Sequence, residues 1–402
     1  MKKIMVFVLV CAMLTVFVCG CGQPASEETT SQAPEQTQGQ ESTEPAESGE
    51  GPQWDYSSIE VFEDDPMFGN GCVFYSDLQA LWGSEVPVPE EAITIGYVGK
   101  SFENEYWRMV KEGLEEEATR LTEAGFDVTI DIRAGQGEDD TEGQLSIMQD
   151  MINKQYDAII IAPITDANLA PGVEQAESAG IPVIPQSVIF DENPYLPYYV
   201  GVSAYLEGSL AAERMAEMIG EEGGEVAIIT GIPNNTAAIG RTDGFAEYFE
   251  AHPELNITVV DEQNAEWDRM LAKDAADILI KKYPNLKGIY CNNDTMAMGA
   301  LESAREADKI GEIIIGGTDA TSEAIQSIQN GELDLTVNNY PYYFGKMALE
   351  MIFRLLNGEN LPERVICYEG ICDSTNASAD AAETTGWVDL KYVKASEYNA
   401  SK

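Results

Sequence analysis

The stretch "ITIGYVGKSFENEYW", residues 93–107, decides how the chain is read. Its β-branched and aromatic run to Gly99 predicts a buried strand, and the polar turn that follows leads into a helix. A strand, a Gly-Lys-Ser turn and a helix is also how a phosphate loop is built. That loop needs G-x-x-x-x-G-K-[ST], so that consecutive backbone N–H groups can curl round the phosphates, and its first glycine falls on Thr94. Phe102, Tyr106 and Trp107 crowd the mouth where open backbone would be required. The turn is therefore shaped for a ligand with faces that aromatic rings can cover.

The same alternation continues outward. Strands are predicted at 93–99, 126–132, 157–163, 181–187, 224–230, 256–262, 287–293, 312–318 and 333–339, with amphipathic runs between them. In the run 104–123, Trp107, Val110, Leu114 and Leu121 form one apolar stripe at helical spacing. The segment "DAIIIAPITDANLAPGVEQAESAGI" (157–181) is echoed by "KGIYCNNDTMAMGALESAREADKI" (287–310), each a strand, a turn with a capping acid (Asp166, Asp294) and a helix. Nine strands exceed one comfortable open sheet. The expected fold is α/β, two doubly wound parallel-sheet domains with a ligand cleft between them at the carboxyl ends of their strands.

The boundaries follow from this alternation: residues 92–202 with 340–366 for the first domain, and 203–339 with 367–390 for the second. Residues 54–91 are aromatic-rich and lie outside the pattern; they suit packing on the first domain or contact with a partner. Ahead of them, residues 21–53 carry Glu27, Glu28, Glu35, Glu41, Glu44, Glu47 and Glu50 with no basic residue. Such a composition cannot offset the entropy of ordering and reads as a solvated tether, with a reach of roughly 30 Å as a flexible coil. Residues 1–20 place Lys2 and Lys3 before an apolar run from Ile4 to Val18, the pattern of an export signal. Val18-Cys19-Gly20-Cys21 resembles the lipobox of bacterial lipoproteins, with Cys21 as the lipidated residue that anchors the chain to the cell membrane.

The formal net charge is −47, with 23 Lys and Arg among 70 Asp and Glu. Nucleic acid is thereby excluded as a partner, because backbone binding needs clustered cations. The only histidine, His252, lies in a turn, so no Ser-His or Cys-His pair is assembled and an enzyme is not expected. Neither a metal nor a cofactor is expected. Cys367 and Cys372 suit a small disulfide loop as well as two buried thiols.

Just after the predicted strands stand Asn104, Tyr106 and Trp107, then Gln186 and Ser187, then Arg241, Trp267, Asn293, Asp319 and Asn339. Carboxamides donate and accept, Asp accepts from two hydroxyls, Arg donates in a fork, and rings cover C–H faces. These groups suit a polyhydroxylated small molecule. Each has a bland alternative as well: Trp107 as core, Asp319 as a helix cap, Asn293 and Asn339 as turn residues, Arg241 as a surface ion pair, Trp267 as helix packing.

In order and spacing, "ITIGYVGKSFENEYW", "DAIIIAPITDANLAPGVEQAESAGIPV", "GRTDGF", "NAEWDR", "CNNDTMAMGAL" and "IGGTDAT" resemble the ribose/galactose-type solute-binding proteins of ABC transporters, over about residues 92–380. The resemblance implies a type I periplasmic-binding-protein fold and a sugar-like ligand held at Asn104, Tyr106, Trp107, Arg241, Trp267, Asn293, Asp319 and Asn339. It also implies hinge closure and delivery to an ABC permease. Members that bind common aldoses often carry Asp-Arg where this chain has Gln186-Ser187, which places ribose and galactose themselves in doubt. The alternative is a sensing module that docks on a sensor kinase or chemoreceptor.

Overall fold

The computed structural model describes residues 51–62, 72–165, 167–186, 198–367, 369–378 and 387–402. Cys21, the acidic tether, Asp166 and Ser187 lie outside the described residues.

Short strands β1 (Val61–Phe62) and β2 (Cys72–Phe74), helix α1 (Tyr75–Trp82) and strand β3 (Glu85–Val88) come first. The regular alternation then begins with β4 (Ile93–Ser101), α2 (Glu105–Glu123), β5 (Val128–Gly135) and α3 (Thr141–Asn153). It continues through β6 (Ala158–Ile161), α4 (Ala170–Ser178) and β7 (Val183–Pro185). These strands form a parallel sheet in the order β5-β4-β6-β7. Helices cover both of its faces, so Ile95, Tyr97 and Val98 of β4 are all fully buried and the strand reads as continuous rather than alternating.

Strand β8 (Tyr199–Gly201) leads into α5 (Ala204–Ile219), β9 (Gly224–Thr230), α6 (Thr236–Ala251) and β10 (Ile257–Asn264). Next come α7 (Arg269–Lys282), β11 (Leu286–Cys291), α8 (Asp294–Glu306), β12 (Ile314–Thr318), α9 (Ser322–Gln329) and β13 (Leu335–Asn338). The chain returns through α10 (Pro341–Leu356) and β14 (Arg364–Ile366), then adds β15 (Gly370–Asp373). It closes with β16 (Lys391–Lys394) and α11 (Ala395–Ser401). The second sheet has the order β10-β9-β11-β12-β13-β15 and is parallel except for β15 on β13.

Why α2 sits where it does follows from its residues. Asn104 caps it, its Oδ1 accepting from the Tyr106 N–H at 3.0 Å, and the stripe Trp107, Val110 and Leu114 is buried against α10. The two helices approach closely at two glycines. A Cβ on Gly113 would lie 2.0 Å from the Tyr342 carbonyl oxygen, and one on Gly345 would lie 2.6 Å from that of Val110.

Of the aromatic segment before residue 92, Trp54, Tyr56, Tyr75 and Trp82 pack on the first lobe. Strand β2 pairs with β14 in parallel, and β14 pairs with β8. Arg354 of α10, fully buried, stands over the Trp82 ring at 4.4 Å and donates to the Tyr398 hydroxyl at 2.9 Å. Glu350 and Glu359 neutralise it, and Trp54 Nε1 donates to Glu359 at 2.6 Å. Both termini of the described chain are thus fastened to one buried arginine.

One sequence expectation needs correction. The cap of α8 is Asn293, whose Oδ1 accepts from the Met296 N–H at 2.9 Å, not Asp294. Asp294 turns inward to accept from the Thr321 N–H at 2.8 Å and the Thr336 hydroxyl at 2.7 Å. Of the two alternatives open for Cys367 and Cys372, the structure has the two buried thiols: Cys367 belongs to the core around β4 and Cys372 to the core around β11.

Candidate functional site

A cavity of about 460 Å³, open to solvent, lies at the carboxyl ends of the strands of both sheets. The first lobe contributes Lys100 near the end of β4, Asn104 of the turn that follows, Tyr106 and Trp107 in the first turn of α2, and Glu138 beyond β5. Tyr106 and Trp107 meet edge to face with centroids 4.7 Å apart, and Lys100 Nζ stands 5.2 Å from the centre of the Trp107 ring. Asn104 does two jobs. Its oxygen caps α2 while its Nδ2 donates to Glu138 at 3.0 Å.

The second lobe supplies Asn235, Ala237, Arg241, Trp267, Asn293 and Asp319, and Val202 comes from the crossover after β8. Asn235 caps α6, accepting from the Ala237 and Ala238 N–H groups at 3.0 and 3.2 Å. Several site turns hold backbone that L residues rarely adopt: φ is 66° at Trp267 and 117° at Asp319. The Trp267 indole lies where only glycine leaves room, since a Cβ on Gly231 would fall 2.2 Å from the ring. Across the rim, the Ser322 N–H donates to Glu105 at 3.0 Å and joins the lobes.

Arg241 is the electrostatic centre. Its Nε donates to Glu207 at 2.6 Å and one terminal nitrogen to the Asn292 carbonyl at 2.7 Å; the other reaches Glu207 and Asp319, each at 3.3 Å. Burial works against its charge, but Glu207 and Asp319 outweigh that and hold it protonated. Burial pushes the Asp319 carboxyl well above the usual carboxylate range; Arg241 opposes the shift, and Asp294 and Glu207 add to it. Asp294 behind it is pushed up to about 7 by burial, against its bonds to Thr336 and Thr321. The Tyr106 phenol is likewise raised, first by burial and then by Asp319 and Glu207.

Asn104, Tyr106, Trp107, Arg241, Trp267, Asn293 and Asp319 therefore come together round one cavity. Tyr106 and Trp107 are at once part of the first lobe's core and part of the cavity wall. Gln186 and Asn339 do not line it. Gln186 ends β7 fully buried, its backbone N–H donating to Ile161 at 2.7 Å and its Nε2 to the Phe344 carbonyl at 3.0 Å. Asn339, also fully buried, donates to Glu207 at 2.7 Å from behind the cavity wall. Sequence reasoning passed over Lys100, Glu138, Val202, Asn235 and Ala237, as well as Glu207. The signals for Lys100 and Asn235 were local, a cation at the carboxyl end of a strand and a capping Asn at a strand-to-helix junction. Glu207 lies within α5 and carried none.

The model of the family described as periplasmic binding protein domain matches residues 95–360. The D-allose-binding periplasmic protein of Escherichia coli (strain K12) is 33% identical over 259 residues, 63% of this chain and 81% of that protein. A ribose import binding protein of Bacillus subtilis (strain 168) is 27% identical over 276 residues, 69% of this chain and 86% of that one. Among solved structures, an ABC transporter periplasmic solute binding protein from Actinobacillus succinogenes 130z with bound D-allose superposes with a TM-score of 0.66. It is 29% identical, and the match covers 71% of this chain and 99% of that one. With two lobes, a cavity at facing strand ends and a match across most of its folded length, the chain belongs to the periplasmic binding protein family.

Proposed function

We propose that this protein is the extracytoplasmic solute-binding component of an ABC importer and captures a sugar or sugar-like polyhydroxylated molecule between its lobes. The observation that carries this reading is the composition of the cavity, where Arg241, Asp319 and the carboxamides of Asn104, Asn235 and Asn293 stand among Tyr106, Trp107 and Trp267. Such groups satisfy hydroxyls in fixed directions while the rings cover the ligand's C–H faces. The named relatives are binding proteins rather than enzymes, and importer function is favoured over a sensing module by their names.

Three crossovers, near 201–204, 339–341 and 365–367, divide the chain into residues 92–202 with 340–366 and residues 203–339 with 367–390. Hinge motion at these crossovers closes the cleft on the ligand, with Asn339 and Gln186 drawn against it. Ser187, next in the sequence and outside the described residues, is assigned the same role. Lipid at Cys21 holds the chain on the cell membrane near the permease that receives the ligand; Cys21→Ala should release it from membranes.

The test is a thermal-shift screen of the mature chain against D-allose, D-ribose, other pentoses and hexoses, polyols and nucleosides. A true ligand at a hundred times its dissociation constant adds about 2.7 kcal/mol of stability. Stabilisation by a nucleoside, and by no sugar or polyol, would overturn the assignment.

A further inference from the structure

Tyr97 Oη, Gln186 Oε1, Asn292 Nδ2 and Asn339 Oδ1 are fully buried and have no hydrogen-bond partner among the described residues. Gln186 and Asn339 end strands beside the cleft. Tyr97 is different, because it sits inside β4 in the first lobe's core, packed in the same cluster as Tyr106, Trp107, Val200 and Val202. A core position there asks only for bulk. Phenylalanine fills the same volume without desolvating a hydroxyl, and a buried hydroxyl with no partner is a net cost to the fold.

The ring's direction shows where the hydroxyl is aimed. A Cβ on Gly99 would lie 2.9 Å from Tyr97 Cε1, so the ring leans along β4 toward its carboxyl end, where Lys100 enters the cavity wall. Across the sheet Tyr97 pairs with Ile160 and Ile160 with Ile184, so Tyr97 and Gln186, two residues beyond Ile184, lie on the same face of the β4-β6-β7 sheet. Gln186 is fixed from the same side, its Nε2 held by the Phe344 carbonyl, so its Oε1 stays an open acceptor.

We propose that Tyr97 is a further ligand-contacting residue: its hydroxyl and Gln186 Oε1, both behind the cavity wall as it stands, meet the ligand when the lobes close and form a neutral polar floor that reads one ring hydroxyl of the bound sugar or cyclitol. The ligand hydroxyl donates to the carboxamide oxygen and accepts from the phenol, which satisfies both groups at once. An acid at residue 186 would hold two hydroxyls; the Gln-Tyr pair selects one by position. This inference rests on the sugar-binding reading above and deepens it.

Tyr97→Phe tests it with two readouts. In ligand-free protein, a hydroxyl without a protein partner predicts that the Phe variant melts at or above the wild-type temperature. A clear drop would show the hydroxyl bonded within the protein and overturn the proposal, whatever the ligand is. With D-allose in calorimetry, the variant should bind roughly two- to tenfold more weakly, the range of one neutral hydrogen bond. One monodeoxy-allose should lose a similar factor in the wild type and nothing further in Tyr97→Phe. Equal D-allose affinity in both proteins would overturn the contact. If the wild type binds no sugar or cyclitol, the ligand class is what has failed, and the melting comparison still decides whether the hydroxyl is held internally.

Discussion

Arg241 and Asp319 should separate stability from binding, and the structure says in which direction. Arg241 is the only cation hydrogen-bonded to Glu207 among the described residues, and the two side chains are 7% and 0% exposed. Arg241→Ala strands Glu207 in the interior and leaves Asp319 without its cation, a change that costs about 3–5 kcal/mol when a buried pair is broken from one side. For a lobe of about 150–250 residues each kcal/mol shifts the melting temperature by about 2–4 °C, so a fall of about 6–20 °C is expected in far-UV circular dichroism. Asp319→Asn is a different perturbation. Its carboxyl is already pushed toward the neutral form by burial, and Arg241 keeps its closer bond to Glu207, so the fold should be nearly unaffected. Ligand affinity should instead fall roughly two- to tenfold, because the carboxamide replaces one of the two acceptor oxygens and one hydrogen bond is worth about 0.5–1.5 kcal/mol. Replacing both members of the pair, Glu207→Leu with Arg241→Met, should recover much of the stability lost in Arg241→Ala without recovering binding. An Arg241→Ala protein that melts with the wild type, or an Asp319→Asn protein that binds like it, would refute this division of labour.

The elevated Asp294 carboxyl predicts a pH dependence. A carboxyl raised to about 7 in the folded state, against about 3.9 when unfolded, stabilises below the lower value and loses that contribution as pH rises to about 7. Urea titrations across this window should show a slope that Asp294→Asn flattens; a slope unchanged by the substitution would assign it elsewhere. Gly231→Ala should force the Trp267 indole aside and weaken ligand binding, with a stability cost of about 1–3 kcal/mol, readable as a change in tryptophan fluorescence and in calorimetry. Trp82→Ala, although it lies before the family-matched residues 95–360, should destabilise the first lobe by about 3–5 kcal/mol in denaturant titration, because the ring is buried beneath Arg354.

The α/β alternation and the two sheets were legible in the sequence because a parallel strand covered on both faces must be apolar throughout, as Ile159, Ile160 and Ile161 of β6 are, and because capped helices punctuate them. The residues after strand ends were legible for the same reason: topology alone brings Asn104, Arg241, Asn293 and Asp319 to facing edges. What chain order does not encode is which side chain wins a shared space. Asn293 and Asp294 are neighbours of similar shape, yet one caps α8 and the other is driven inward by Thr321 and Thr336, which lie 27 and 42 residues away. Glu207 is one acid among seventy until α5 is laid beside α6 and Arg241 finds it. Residues 54–91 show no period that assigns them, and Trp54, Tyr75 and Trp82 acquire a purpose only when Arg354, Glu350 and Glu359 place a buried charge cluster against them. Periodicity and capping act within a few residues of one another and can be read along the chain, whereas buried charges are paired by packing over hundreds of residues, and only the tertiary structure decides those pairs.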